Sequence, residues 1–230
     1  MCGRYSLIQG EDALRAQFDL DAFGFDWQPR YNMAPQQPVP IIVAHRGRRT
    51  IGLVRWGLVP AWAPTDAADM KTINARAETV ATKPTYRDAF RLRRCIVPAS
   101  GFYEWRKEAG GSRTPHVVRP GGPEALAFAG LWEKWRDPDG RTVTTCTIVT
   151  TAAAPEIRHI HDRMPVILDR TGQRLWLDPE TDLETLTSLL QPPADARLQA
   201  YVVSRLVNSV ANDSPDLLLP AERPDPELFE

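Results

Sequence analysis

The chain has 230 residues, 43% hydrophobic and 25% charged, which is typical of globular proteins and excludes the disordered and fibrous classes. No apolar stretch approaches the roughly 18 residues that a membrane span needs, and the first residues, MCGRYSLIQGED, lack the apolar segment of a signal peptide. We therefore expect a cytoplasmic protein. The three cysteines form no CxxC pair, so we expect no disulfide framework, no metal and no cofactor.

The formal net charge of -1 conceals an uneven distribution of charge. Residues 181–230 hold nine acidic side chains and three arginines, so residues 1–180 carry a net charge of +5. Between Arg76 and Arg113, nine basic side chains stand against four acidic ones. Arginine forks suit phosphate oxygens, so this basic body is compatible with a polyanionic partner. We expect residues 1–220 to form the folded domain and residues 221–230 to form an acidic tail.

Hydrophobic periodicity predicts nine strands and four helices. In chain order, the predicted strands are Arg4–Leu7, Val39–Ala44, Thr50–Trp56, Cys95–Pro98, Phe102–Lys107, His116–Arg119, Leu126–Trp135, Thr142–Thr150 and Ala200–Ser204. The predicted helices are Glu11–Phe18, Thr85–Arg91, Ala154–Ile160 and Asp182–Leu190. Many short strands along the whole chain indicate one α+β domain, a β-rich and partly closed antiparallel sheet system with peripheral helices, and we expect a monomer.

Cys2 is the first candidate reactive residue. Methionine is usually removed ahead of a small side chain, which would leave Cys2 with a thiol and a free α-amine on adjacent carbons. Reference pKa values of about 8.5 for a thiol and about 7.7–8.0 for an α-amine leave part of each nucleophilic near neutrality, and we expect nearby Arg4 to favour the thiolate. Such an aminothiol converts an aldehyde to an imine and then a thiazolidine, or attacks an amide. A third interpretation is that Cys2 has no reactive role and is only a small residue that permits removal of the methionine.

Eight motifs occur in a fixed order: MCGRY, RYNMAP, RWGLVPAW, KTINARAET, CIVPASGFYEW, IVTTAA, IHDRMPVIL and VNSVANDSPDLL. Together they resemble the SOS-response-associated peptidase family of abasic-site-processing proteins, from residue 2 to about residue 219. The resemblance implies that Cys2 captures the ring-opened aldehyde of an abasic site in single-stranded DNA as a thiazolidine crosslink that shields the lesion. It also implies nucleoid association during repair, self-processing that exposes Cys2, and strand-cleaving lyase chemistry through the same imine.

The resemblance further implies that Asn74, Glu104 and His161 complete the catalytic set. A buried Glu104 would shuttle protons at the imine step, although the residues alone favour a surface glutamate paired with Arg106 or Lys107. His161 would assist sugar ring opening and adduct reversal. His159 makes an HxH pair with it, but no third ligand follows at metal spacing, so we expect His159 at a helix end. Asn74 would bind the sugar or orient the Cys2 amine; a turn or cap role stays open.

For DNA binding, the resemblance implies that two arginines bind phosphates, that a threonine adds a hydroxyl contact, and that tryptophans stack on bases at roughly 1–3 kcal/mol each. These residues are Arg4, Arg76, Thr150, Trp56, Trp62 and Trp105. The remaining aromatic and thiol groups in strands and helices are expected in the core: Cys95, Cys146, Trp132, Trp135 and Trp176.

Two other functions remain open at this point. One is an N-terminal-nucleophile peptidase or amidase that acts on proteins through Cys2. The other is a non-covalent module for single-stranded DNA in which Cys2 is incidental. A stable adduct with an abasic oligonucleotide, turnover of a peptide, or salt-sensitive binding without an adduct would distinguish the three.

Overall fold

The structure, a computed structural model, describes residues 2–66, 72–192 and 197–221. Met1 and Lys71 lie outside the described residues. So does the predicted acidic tail, apart from Ala221. In chain order, the strands are β1 (Tyr5–Leu7), β2 (Ala22–Phe23), β3 (Arg30–Met33), β4 (Pro38–His45), β5 (Arg48–Trp56), β6 (Asn74–Arg76), β7 (Arg94–Ala99), β8 (Gly101–Lys107), β9 (Arg113–Pro120), β10 (Leu126–Arg136), β11 (Thr142–Ala152), β12 (Arg163–Pro165) and β13 (Leu198–Val202). The helices are α1 (Glu11–Phe18), α2 (Arg87–Leu92), α3 (Arg170–Leu177) and α4 (Leu183–Ser188), with 3₁₀ turns at Arg205–Asn208 and Pro215–Leu218.

The larger sheet curls into a barrel. Its strand order is β12-β11-β10-β7-β4-β5-β2, and β5 also pairs with β11, so that β11, β10, β7, β4 and β5 close a ring. The smaller sheet, in the order β13-β9-β8-β1-β3, is antiparallel throughout. The predicted β-rich, partly closed sheet system with outer helices is confirmed. It departs from the prediction in its parallel pairs, which join β2 to β5, β5 to β11 and β6 to β11.

A buried aromatic cluster joins the two sheets. Tyr5 lies on β1 of the smaller sheet, but its ring packs edge-on against Trp56 and Phe128 of the barrel, with centroids 5.4 and 6.3 Å away. Phe102 of β8 also contacts Phe128, at 5.9 Å. These large apolar faces leave water together, and the T-shaped pairs add to that burial energy. The contacts hold the N-terminal segment between the smaller sheet and the barrel. As predicted, Cys95, Cys146, Trp135 and Trp176 are buried, whereas Trp132 is only partly buried against the core.

Three of the four predicted helices are present, with shifted bounds for two. α1 has the predicted bounds, whereas α2 and α4 are shorter than predicted. α3 was not predicted; Asp169 caps it by accepting from Gly172 N at 2.6 Å. No helix of the described residues is long and apolar enough to cross a membrane.

The predicted helix Ala154–Ile160 is wrong, because this segment folds as consecutive turns. Its ends are tied together by the pairing of β11 with β12 and by a bond from Ala153 N to Asp162 O at 2.9 Å. The chain therefore reverses direction between Ala153 and Asp162, and it does so in turns. His159, expected at a helix end, lies exposed in these turns.

Candidate active site

Cys2 lies just before β1 and is completely buried. Its Sγ donates to the Arg4 carbonyl oxygen at 3.9 Å. Burial raises the pKa of the Cys2 thiol, and the nearby Glu104 carboxylate raises it further. The thiol is therefore neutral at physiological pH, and any proton that it loses must pass to a base within the site.

The expectation that Arg4 favours the Cys2 thiolate is wrong. Nη1 of Arg4 donates instead to Asn32 Oδ1 at 2.8 Å and to Val207 O at 2.7 Å. Its guanidinium lies over the Trp105 ring, 5.9 Å from the centroid. Arg4 therefore holds the C-terminal segment and covers one face of the Trp105 indole. Burial of the guanidinium lowers the pKa of Arg4.

Asn74 is the first residue of β6, a strand of three residues that pairs in parallel with β11 opposite Ile148. Its Nδ2 donates to the Cys2 carbonyl oxygen at 2.8 Å, and its own carbonyl accepts from Tyr86 Oη at 3.2 Å. The Asn74 Oδ1 is buried and, among the described residues, has no hydrogen-bond partner. Asn74 is thus a strand residue that holds the Cys2 backbone, and not a turn or cap.

Glu104 occupies the middle of β8, where alternation sends its side chain inward with that of Phe102. Only 4% of Glu104 is exposed. Burial raises the pKa of Glu104 to about 7, so that both protonation states are available near neutrality. The surface interpretation is wrong because this side chain is buried, and Arg106 pairs instead with Glu108, at 2.9 Å.

His161 follows the turns after β11 and faces Glu104, with its Nε2 4.0 Å from Glu104 Oε2. Its Nδ1 accepts from the Arg163 backbone N–H at 2.9 Å. Burial lowers the pKa of His161, so the ring is neutral at pH 7. With Nδ1 accepting, the neutral ring carries its proton on Nε2, toward Glu104. Protonation would allow Nδ1 to donate to Asp162 Oδ1, 3.0 Å away.

The predicted DNA ligands divide into exposed and buried groups. Arg76 is exposed at the end of β6, 63% of Trp62 is exposed, and Trp105 is half-buried with its Nε1 donating to Asn208 Oδ1 at 2.8 Å. Trp56, in contrast, is fully buried and donates to Ile73 O at 2.9 Å. The expectation that Trp56 stacks on bases is therefore wrong, because the side chain belongs to the barrel core.

Thr150 is also fully buried, and its hydroxyl lies 3.5 Å from Ala75 O, so the expected hydroxyl contact with DNA is wrong. Thr150 O instead accepts from Arg163 Nη2 at 2.6 Å. Arg163 forms a bidentate pair with Glu78 and was not predicted as a site residue. Its position two residues after His161 in the IHDRMPVIL motif was the available signal.

Within the described residues, no group of three or more His, Cys, Asp or Glu side chains could hold a metal ion. The site therefore consists of a buried thiol, an amide, a carboxyl group and an imidazole. They come from four separate segments of the chain, namely the residues before β1, β6, β8 and the turn after β11. Chemically, this set offers a nucleophile, a proton carrier poised near neutral pH and a second, neutral imidazole donor.

Comparisons with known proteins identify the family of this chain. The model of the SOS response associated peptidase family matches residues 1–210. The chain belongs to this family. Among relatives of this family, the abasic site processing protein YoqW of Bacillus subtilis is 42% identical over 221 residues, covering 95% of this chain and 99% of its own.

A vertebrate relative and a solved structure extend the SOS response associated peptidase match. The abasic site processing protein HMCES of Gallus gallus is 32% identical over 228 residues, covering 85% of this chain and 67% of its own. A crystal structure of a protein from Bacteroides thetaiotaomicron superposes with a TM-score of 0.83 at 26% identity, covering 96% of this chain and 100% of that one. The predicted family and the predicted fold are thereby both confirmed.

Proposed function

We propose that this protein processes abasic sites in single-stranded DNA by forming a covalent thiazolidine crosslink through Cys2. Its relatives YoqW and HMCES are named abasic site processing proteins. The observation that carries the proposal is the convergence of Cys2 with an acid of near-neutral pKa, Glu104, in a buried site. An aminothiol needs proton transfer at two steps, and this carboxyl group would serve both.

The reaction begins at the Cys2 α-amine, once Met1 has been removed. The amine attacks C1′ of the ring-opened deoxyribose, and the resulting carbinolamine loses its hydroxyl group as water when Glu104 delivers a proton. The Sγ then adds to the imine carbon, and the thiol proton passes to Glu104, which restores the acid. One C–N bond and one C–S bond form, and one water leaves. A neutral, buried thiol suits this order because the amine acts first.

His161 and Asn74 would serve the steps on either side of imine formation. The Nε2 proton of neutral His161 points toward Glu104 and would assist opening of the sugar hemiacetal and, later, reversal of the adduct. Asn74 holds the Cys2 carbonyl at 2.8 Å, which orients the amine on the same residue. The Oδ1 of Asn74 accepts no hydrogen bond from the part of the chain that the structure describes, and it would accept one from that amine or from the sugar.

Phosphates next to the lesion would be bound by arginines near the site. Arg76 lies two residues after Asn74 and opposite Thr150 in the β6–β11 pair. Arg163, held by Thr150 O, is a second candidate on the same edge. Trp62 and Trp105 are the accessible aromatic surfaces for flanking bases. The same imine would support strand cleavage by a lyase route, and self-processing would expose Cys2.

The decisive experiment mixes the purified protein with a single-stranded oligonucleotide that carries one abasic site and resolves heat-stable adducts on a denaturing gel. We expect an adduct with wild type, none with Cys2→Ala, and with Cys2→Ser only an imine that borohydride traps. An intact oligonucleotide of the same sequence is the substrate control. A heat-stable adduct of Cys2→Ala in wild-type yield would overturn the mechanism. Peptide turnover in place of an adduct would favour the amidase, and binding without an adduct would favour the non-covalent module.

A further inference from the structure

A cavity built from other elements than the reactive cluster lies beside the turn between β4 and β5. Its volume is about 810 Å³, within the range of protein sites that bind ligands. It shares no lining residue with the cavity beside Glu104 and His161. We call it the hairpin groove, and its lining includes Val43, Arg46, Leu92, Arg94, Trp132 and Arg174.

One wall of the hairpin groove is apolar and accessible. Leu92, the last residue of α2, is 75% exposed. Trp132, which was expected in the core, is only half-buried, as is Val43 of β4. Single exposed apolar side chains are common on proteins, whereas several that line one cavity are typical of a binding site. This wall would bury a large apolar side chain of a ligand.

The rest of the lining carries positive charge. Four arginines and one acidic side chain line the groove, namely Arg46, Arg49, Arg94, Arg174 and Asp178. Arg49 lies 3.7 Å from the carboxylate of Asp19. Within the part of the chain that the structure describes, neither Arg46 nor Arg174 forms a salt bridge. These two guanidinium groups can therefore pair with carboxylates of a ligand.

The buried guanidinium of Arg94 gives the groove a fixed shape. Its Nε donates to Trp176 O at 2.7 Å, its Nη1 to Phe90 O at 3.0 Å and its Nη2 to Asp178 O at 2.6 Å. These carbonyl groups lie at the C-terminal ends of α2 and α3, so that Arg94 ties both helices to the start of β7. A groove that is held in place before binding spends little free energy on ordering itself.

Arg46 occupies a position where the hairpin favours other residues. His45 pairs with Arg48, so Arg46 and Gly47 form a two-residue turn, with φ angles of 51° and 76°. Positive φ at both residues defines the type I′ turn, in which asparagine, aspartate or glycine is preferred at the first position. Arginine in this conformation costs stability, and such strained residues cluster at sites that bind ligands.

We propose that the hairpin groove binds an acidic peptide segment of a partner protein. Carboxylates of the peptide pair with Arg46 and Arg174, and a leucine or phenylalanine side chain packs on Leu92 and Trp132. A nucleic acid strand fits this groove less well, because its backbone has no aliphatic group to cover Leu92. Since the groove and the reactive cluster have no residue in common, the peptide and an abasic-site substrate bind at the same time.

The test uses a fluorescein-labelled peptide of eight residues in which aspartate alternates with leucine, and binding is followed by fluorescence anisotropy. A peptide with lysine in place of aspartate is the ligand control. The variants are Arg46→Asn, Arg174→Ala, their double mutant and Leu92→Ser. Arg141→Ala and Leu219→Ser, which change exposed residues elsewhere, are the matched controls. Thermal melting verifies folding, and Arg46→Asn should melt no lower than wild type because asparagine suits the turn.

We expect saturable binding of the acidic peptide, weakened by salt, and no binding of the lysine peptide. Arg46→Asn and Arg174→Ala should each weaken binding about threefold, the double mutant about tenfold and Leu92→Ser about tenfold, with both controls at wild-type affinity. No saturable binding, or a double mutant that binds as well as Arg141→Ala, would overturn the proposal. Displacement of the peptide by an intact single-stranded oligonucleotide would also overturn it, and would assign the groove to nucleic acid.

Discussion

Glu104→Gln is expected to slow catalysis and stabilise the fold at the same time. Burial raises the pKa of Glu104 from 4.5 to about 7. Above pH 7, the folded protein holds a carboxylate in a buried site, whereas water solvates this group in the unfolded chain. Each pH unit between the two pKa values is worth about 1.36 kcal/mol, so burial of this charge costs about 3 kcal/mol at alkaline pH.

The sign follows from proton binding. Between pH 4.5 and 7, the folded state retains a proton that the unfolded state has lost, so the free energy of unfolding falls as pH rises, and the fall is complete above the folded pKa. Glutamine is neutral at every pH and removes this dependence. Between about pH 4.5 and about pH 8, wild type should therefore lose about 3 kcal/mol more stability than Glu104→Gln.

Urea unfolding followed by tryptophan fluorescence measures the stability, and a gel-based time course with abasic DNA measures the rate. Loss of a general acid–base group should slow adduct formation by roughly 10²–10⁴-fold, with DNA affinity unchanged. Glu108→Gln is the matched control, since Glu108 lies just past the same strand and pairs with Arg106 at the surface. An identical pH dependence of stability in Glu104→Gln and wild type would refute the burial argument, and a wild-type rate would refute the catalytic one.

Three further predictions test other parts of the site. Arg76→Ala should lower the salt slope of binding to single-stranded DNA by about 0.7–1, and an unchanged slope would return Arg76 to a structural role. His161→Ala should slow adduct formation and should also slow the transfer of a preformed adduct to competitor DNA. The rate of adduct reversal by wild type should change below about pH 6.5, and the substitution should abolish this change. A wild-type pH profile in the variant would show that His161 takes no part in the reaction. Trp56→Ala should destabilise the fold by about 3–5 kcal/mol in urea unfolding. Trp62→Ala should instead weaken DNA binding without a change in stability; equal stability losses would contradict this division.

Local patterns determined much of the fold and part of the site. The alternation in Phe102–Lys107 puts Glu104 on the same strand face as Phe102 without deciding which face is buried, and the amphipathic spacing of Glu11–Phe18 gave the bounds of α1. Motif order identified the family, and Cys2 was recognisable from its position and its chemistry. These features depend on neighbours a few residues apart, which a sequence displays directly.

Only the tertiary structure decided which polar and aromatic groups meet. β6 has three residues, too few for a periodic signal, and it exists because β11 offers it a parallel edge; that pairing brings Asn74 to Cys2. Trp56 and Trp62 lie in one motif, yet closure of the barrel buries the first and leaves the second exposed. Arg4 turns to Asn32 and Val207, which lie far away along the chain. Burial, and with it the pKa of Cys2 and Glu104, depends on these long-range contacts, so the reactivity of the site could not be determined before the chain was folded.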